Sequence, residues 1–300
     1  MEEKTSTGFR AGFIPLTGLP NAGKSTLMNL LCATRISIIS DKPQTTRNNV
    51  TGILNAKKFQ AVFVDTPGFL KPRNKFEKAM ENSIKRAATE EGDAVVLLTE
   101  PSLPPEEKLP LFEPLKELKC PLFLVINKMD IADKTIAEET ADFFRKLLPV
   151  TETFFISALN GSNVGKLRSA IQKVLPEHPA YYPQDQITDR WERFYAAEII
   201  REQIFRIFSQ EIPYSTAVQI ESFREIPDRP DEIHAIIHVA REGQKGIIIG
   251  KGAKMLKQLR VNSERAIAKF IDRPVMLHLH VKVTENWQNN TDFLKETGLL

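Results

Sequence analysis

The residues Gly18, Leu19, Pro20, Asn21, Ala22, Gly23, Lys24, Ser25 and Thr26 could together hold a chain of phosphates. Gly18 and Gly23 let successive backbone N–H groups turn inward, and a helix opening at Ser25 adds the positive end of its dipole. The Lys24 ammonium reaches the outer phosphates, and the Ser25 hydroxyl is a ligand for Mg²⁺. The pattern GxxxxGK[ST] requires a strand before it and a helix after it. By itself it suits a nucleotide kinase, an ATPase or a GTPase.

Three further stretches choose among these. Asp65, Thr66, Pro67, Gly68 and Phe69 follow an apolar run. An Asp there can hold Mg²⁺ through water, and the Gly68 N–H can meet a terminal phosphate. Asn127, Lys128, Met129 and Asp130 end another apolar run. The Asp130 carboxylate can accept from both N1–H and the 2-amino group of guanine, donors that adenine does not offer, so the wrong base leaves buried polar groups unpaired. Ser157 and Ala158 can present a backbone N–H to the guanine O6. Thr45 and Thr46, in the stretch 42–47, are candidates to close on Mg²⁺ and the terminal phosphate. Thr46 is preferred, although sequence does not separate them. Arg47 beside them reads as a solvated or phosphate-near loop cation, or as an arginine finger in cis.

These positions require elements that bring strand ends together. Short apolar runs alternate with amphipathic stretches over the first 175 residues, which predicts an α/β fold with a mostly parallel sheet covered by helices on both faces. Strands are expected at Phe13–Thr17, Val50–Asn55, Ala61–Asp65, Ala94–Thr99, Leu122–Asn127 and Phe154–Ser157. Helices are expected at Ser25–Cys32, Phe76–Glu90, Ile136–Leu148 and Val164–Val174. Each phosphate- or base-reading stretch then falls at a strand end, where open α/β sheets bind ligands. The Pro-rich segment after residue 176 reads as a linker. Beyond it a helix (Arg190–Ser209), two strands (Ala217–Phe223, Ile233–Ala240), a Gly-rich turn, a helix (Lys254–Ile271) and a strand (Val275–Val283) predict a smaller α+β unit. The expected division is 1–176, a linker over 177–189, and 190–300.

The composition limits the function classes. The 300 residues are 42% hydrophobic and 26% charged, which excludes wholesale disorder. No apolar run is long enough to span a membrane. The acidic opening MEEKTSTGFR is not read as a secretory leader. Two cysteines, Cys32 and Cys120, give no disulfide framework, so a reducing cytoplasm is expected. Residues 181–300 carry as many basic as acidic side chains, yet 241–273 hold nine basic against three acidic. Such a face suits a polyanion. His234 with His238, and His278 with His280, each share a strand face. Four imidazoles could approximate a metal site, but sheet packing or plain exposure is the commoner outcome.

The four stretches of the first half resemble a translation-factor-related GTPase. The position where Ras-like relatives carry a water-orienting Gln is Phe69 here, so slow intrinsic hydrolysis is expected. Asn21 matches relatives in which this Asn helps hold K⁺, with loop geometry as the equal alternative. In the second half, Ile249, Gly250, Lys251, Gly252, Ala253, Lys254 and Lys257 resemble the GxxG segment of a type II KH domain. That resemblance implies single-stranded RNA on the turn, bases on the 247–249 face and phosphates at the three lysines. Ala253 departs from the motif where a Gly is usual; alanine costs little at a helix N-terminus but restricts close backbone approach. Together with Gly12 and Phe13, the 182–201 segment, Val281–Trp287, Leu294 and Gly298, the chain is similar throughout to the Era family of GTPases. That resemblance implies a GTPase switch with Mg²⁺, GTP and GDP as ligands, 16S rRNA and the 30S subunit as partners, a role in small-subunit assembly, a monomer, and an optional peripheral contact with the inner face of the membrane. An RNA-binding adaptor that keeps nucleotide only as a structural ligand, and a P-loop kinase of a small substrate, are the rival readings.

Overall fold

Six strands form the first sheet: β1 (Arg10–Gly18), β2 (Val50–Ala56), β3 (Phe59–Asp65), β4 (Val95–Thr99), β5 (Leu122–Ile126) and β6 (Val150–Phe155). Their order is β2-β3-β1-β4-β5-β6. Only the β2–β3 hairpin is antiparallel. The computed structural model of the chain describes residues 8–40, 42, 45–69, 71–89 and 92–300. Residues 1–7, Pro43 and Gln44 of the 42–47 stretch, and the Glu90 end expected for the second helix lie outside the described residues.

The central strands β4 and β5, VVLLT and LFLVI, are buried along their whole length, as unbroken apolar runs in a two-sided sheet should be. The helices are α1 (Lys24–Leu31), α2 (Lys75–Thr89), α3 (Lys134–Leu147) and α4 (Val164–Val174). The Asp133 carboxylate caps α3 by accepting from the Thr135 and Ile136 amides, at 2.7 and 3.3 Å. A 3₁₀ segment over Glu106–Leu115 buries Phe112 and Leu115, with Pro110 and Pro114 inside it.

β6 corrects one expectation. It begins at Val150 and ends at Phe155, so Ser157 and Ala158 stand in the loop beyond it. Its first three residues are partly or fully exposed, and this edge-strand pattern hides it from a search for apolar runs.

Residues 177–189, expected as a linker, lie against the first sheet. Gln60, wholly buried, accepts from the Tyr181 and Tyr182 amides at 2.7 and 3.0 Å and donates to the Tyr182 carbonyl at 2.8 Å. Ile53 N donates to Ile187 O at 2.9 Å, and Thr188 Oγ1 to Thr51 O at 2.8 Å. The segment thereby covers an edge strand that would otherwise present unpaired amides.

The chain divides into two compact units, one of Met1–Ser37, Thr46–Arg73 and Glu77–Asp189, the other of Ile38–Thr45, Asn74–Phe76 and Arg190–Leu300. The second contains α5 (Glu192–Ile207), β7 (Thr216–Arg224), β8 (Asp231–Val239), α6 (Glu242–Ile249), α7 (Lys254–Ile271), β9 (Val275–Val283) and α8 (Thr291–Glu296). Its sheet runs β7-β8-β9, antiparallel and then parallel. One face carries Ile233, Ala235, Ile237, Val239, Leu277 and Val281 into a core shared with Ile200, Ile204, Ile248, Leu259 and Ile267. α6 and α8 were not expected from sequence. Gln244 Oε1 secures the start of α6 by accepting from the Ala240 and Arg241 amides, and Asn290 caps α8 through the Asp292 and Phe293 amides. Among the described residues no helix is long and apolar enough to cross a membrane.

Candidate functional site

β1 runs into a turn that closes on α1 and is shaped by two close approaches. A Cβ on Gly18 (φ 139°) would stand 2.1 Å from the Leu98 carbonyl oxygen, and one on Gly23 (φ 95°) 2.2 Å from Asn127 Nδ2. Neither position accepts a side chain. Lys24 is buried in this loop, its Nζ donating to the Gly18 and Leu19 carbonyls at 3.2 and 3.0 Å. Burial lowers its pKa to about 8, against the pull of Asp65, which favours the charged form. Pro20 lies against Gly68, where a Cβ would come within 2.8 Å of its backbone. Asn21 is exposed with φ 65°, Ala22 is buried, and Thr26 is half-buried in α1.

At the end of β3, Asp65 is wholly buried. Its Oδ2 accepts from Ser25 Oγ at 2.7 Å, and Ser25 Oγ lies 3.1 Å from Thr46 Oγ1. Burial pushes the Asp65 carboxyl up, opposed by the Lys24 charge and by neighbouring hydroxyls, that of Ser25 first among them. Its second oxygen, Oδ1, is buried with no hydrogen-bond donor among the described residues. Two hydroxyls and a buried carboxylate with an uncommitted oxygen form the hard oxygen donor set that Mg²⁺ takes. The two threonines now separate. Thr46 joins this cluster, whereas Thr45 Oγ1 donates to the Lys42 carbonyl at 2.8 Å. Arg47 is 5% exposed, which corrects the reading of a solvated cation. Asn29, not singled out by sequence, accepts from the Ile36 and Ser37 amides at 2.8 Å each and anchors the chain leading to these residues.

Phe69 packs into the apolar core. It is 8% exposed, and its ring packs edge-on against Phe112 with centroids 5.4 Å apart. Thr66 Oγ1 donates to Leu16 O at 2.9 Å, and Phe69 N to Gly18 O at 3.0 Å, tying this loop to β1.

The two stretches read from sequence as facing a base meet just beyond the ends of β5 and β6. Asp130 Oδ1 accepts from Ser157 Oγ at 2.6 Å. Lys128, with φ 64°, pairs with Glu100 at 2.8 Å, and Met129 N donates to Ile156 O. Asn127 is 3% exposed and spans the two halves of the site, since its Nδ2 donates to Ala22 O and its Oδ1 accepts from Ala158 N, both at 2.8 Å. The backbone amides proposed for the guanine O6 are therefore engaged. Ser157 N donates to Ser162 O at 3.2 Å, and a base would compete with Asn127 for Ala158 N.

In the second unit, α6 meets α7 through a turn with Gly250 (φ 70°, ψ 171°), Gly252 (φ 60°, ψ 32°) and Ala253 (φ 58°, ψ 21°). Ala253 is thus a left-handed residue rather than a first helical one, which corrects the view that alanine is nearly free here. Lys251, Gly252, Ala253, Lys254 and Lys257 are exposed. The isoleucines do not form one face. Ile247 is 50% exposed, Ile248 is fully buried, and Ile249 packs half-buried against the core, as a spacing of about 100° per residue dictates.

Comparison with known proteins follows the same division. A family model described as "50S ribosome-binding GTPase" matches residues 13–128, and one described as "KH domain" matches 211–288. The chain is 45% identical to GTPase Era of Lactobacillus helveticus over 298 residues, covering 99% of this chain and 98% of the relative. It is 40% identical to GTPase Era of Elusimicrobium minutum over 297 residues, 99% of both. Among solved structures, a point variant of Aquifex aeolicus Era bound to GDP.AlF4⁻ superposes with a TM-score of 0.91 at 34% identity, over 97% of this chain and 99% of that one. Era in complex with MgGDPNP and nucleotides 1506–1542 of 16S ribosomal RNA gives the same score, identity and coverage.

Proposed function

The chain belongs to the Era family of GTPases, and we propose that it is a GTP-driven switch that holds 16S rRNA near its 3′ end during assembly of the small (30S) ribosomal subunit. It acts as a monomer in the cytoplasm, with a nucleotide-binding unit over 1–176, a connecting segment over 177–189 and an RNA-binding unit over 190–300. The observation that carries this reading is the exposed turn of Lys251, Gly252, Ala253 and Lys254, on a chain that also brings Ser25 and Thr46 to Asp65 at the end of β3 and Ser157 to Asp130.

In this reading the amides of 18–26 and Lys24 hold the phosphates, and Asp130 accepts from the guanine edge. Ser25 and Thr46 hold Mg²⁺ directly and Asp65 through water. The ion supplies charge neutralisation as phosphate oxygens gain negative charge. Thr46 leaves this cluster when the terminal phosphate goes, so residues 45–47 report the nucleotide state. Gly68 offers its N–H to the terminal phosphate, while Phe69, packed on Phe112, has no means of orienting water. Intrinsic hydrolysis is accordingly slow. Asn21, exposed on the loop, is the residue that would hold K⁺, and Asn21→Ala then erases any difference between K⁺ and Na⁺ in the hydrolysis rate.

The decisive experiment measures binding of an oligonucleotide matching the 3′ end of 16S rRNA, with a GTP analogue and with GDP, at several salt concentrations. Tighter, salt-sensitive binding in the GTP form, lost in Lys251→Glu/Lys254→Glu, supports the switch. Binding that is absent or indifferent to those substitutions removes the RNA half of the proposal. Single-turnover GTP cleavage that does not exceed the uncatalysed rate leaves only the adaptor reading.

A further inference from the structure

β8 and β9 run parallel with His234 paired to His278. Their imidazoles stack with centroids 4.4 Å apart and 15° between planes. Both Nε2 atoms converge on Glu232 Oε1, at 3.0 Å from His234 and 3.7 Å from His278. One ligand atom from each of the three residues lies within 4.8 Å of the other two. Their side chains are 30% (Glu232), 40% (His234) and 46% (His278) exposed, on the sheet face opposite the core.

We propose that Glu232, His234 and His278 form a binding site for a borderline divalent transition-metal ion of the Zn²⁺ class, with its fourth position open to water. Zinc–nitrogen and zinc–oxygen bonds of about 2.0–2.1 Å place tetrahedral ligand atoms about 3.3–3.4 Å apart. The two nitrogen–oxygen separations bracket that spacing, and side-chain rotations that splay the stacked rings would complete the site. Two imidazoles with one carboxylate select Zn²⁺, Co²⁺, Ni²⁺ or Cu²⁺ over Mg²⁺ and Ca²⁺, which take oxygen donors. The other two histidines of these strands stand apart. His238 is buried between Thr284 Oγ1 and Gln219 Oε1, and His280 pairs in register with Ile236. The ion would join β9, an edge strand, to β8 through side chains as well as backbone. None of this depends on the nucleotide or RNA readings.

The test is a Co²⁺ titration of the full chain saturated with MgGDP, followed by visible absorption. One Co²⁺ per chain with tetrahedral bands is expected, displaced by Zn²⁺ and untouched by excess Mg²⁺. His234→Ala and His278→Ala should abolish the bands, and Glu232→Gln should weaken binding by about ten-fold or more. The emission of buried Trp287 verifies that each variant folds, and His278→Asn replaces any that does not. Wild-type binding weaker than about 1 mM, or equal binding in the histidine variants, overturns the assignment.

Discussion

Ala253→Gly should stabilise the second unit. Ala253 holds φ 58° and ψ 21°, and an L-residue in that region costs about 1–2 kcal/mol. Glycine removes that cost but brings about 0.4–1 kcal/mol of extra chain entropy to the unfolded state. The net gain is about 0.5–1 kcal/mol, and for an m-value of about 1.5 kcal/mol/M the urea midpoint rises by about 0.3–0.7 M. The two tryptophans, Trp191 and Trp287, both lie beyond residue 190, so their emission reads this unit alone. Trp191 is 85% exposed in the fold, whereas Trp287 is fully buried with its Nε1 donating to Ser215 O, so the red shift on unfolding belongs to Trp287. Neighbouring glycines calibrate the argument. Gly252→Ala meets no atom within 4 Å and should cost about 1 kcal/mol. Gly250→Ala places a Cβ 2.6 Å from Met255 Cγ and 2.9 Å from its Cβ, at a φ/ψ that only glycine adopts readily, and should cost about 3 kcal/mol or more. An Ala253→Gly midpoint that stays put or falls, or a Gly250→Ala cost no greater than that of Gly252→Ala, refutes the reasoning.

Other expectations concern specificity, hydrolysis and acid stability. Asp130→Asn removes the acceptor pair for guanine, and at about 1.5–3 kcal/mol for each charge-assisted hydrogen bond GTP affinity should fall by about 100-fold or more. Xanthosine triphosphate, with a carbonyl where guanine has its amino group, should bind the variant better than GTP does, and equal loss for both in a competition assay contradicts the Asp130 role. Phe69→Gln should cost about 3 kcal/mol of stability by circular dichroism without raising single-turnover hydrolysis, because this side chain packs on Phe112. An accelerated variant would mean that the residue reaches the water after all. Burial lowers His238 to about 4, with Lys282 adding to the shift and Glu296 opposing it, against an ordinary 6.5. The neutral ring is the folded form, so its stabilisation is full above 6.5 and is lost as pH falls towards 4, up to about 3 kcal/mol. Trp287 emission against urea at several pH values should show this slope, and His238→Asn should flatten it.

The parts legible from sequence were those in which backbone geometry dictates residue type. Gly18 and Gly23 admit no Cβ, Lys24 opens α1 and Asp65 ends β3, and the runs of β4 and β5 are apolar because both faces are buried. What escaped was decided by contacts between distant segments or by short elements with weak patterns. α6 contains Gly243 and Gly246 and draws its stability from the Gln244 hydrogen bonds and the buried Ile248. The segment 177–189 reads as a tether from its prolines, yet a buried Gln60 far away in sequence binds it. Thr45 and Thr46 are alike in type, and only the fold gives one to Ser25 and the other to Lys42. The pairing of His234 with His278 is set by the register of two parallel strands, which local periodicity does not encode.

Asn127 has a consequence for how a nucleotide is measured. By joining Ala22 in one loop to Ala158 in another, it acts as a strut between the loop proposed for phosphates and the loop proposed for a base. The span is set before anything binds, so a ligand carrying both ends is held as a chelate. Once one end is seated, the other meets its site at a high effective concentration. Under the proposed function, guanosine and pyrophosphate as separate molecules forgo that gain, and the intact nucleotide, rather than either of its parts, is what the unit would select.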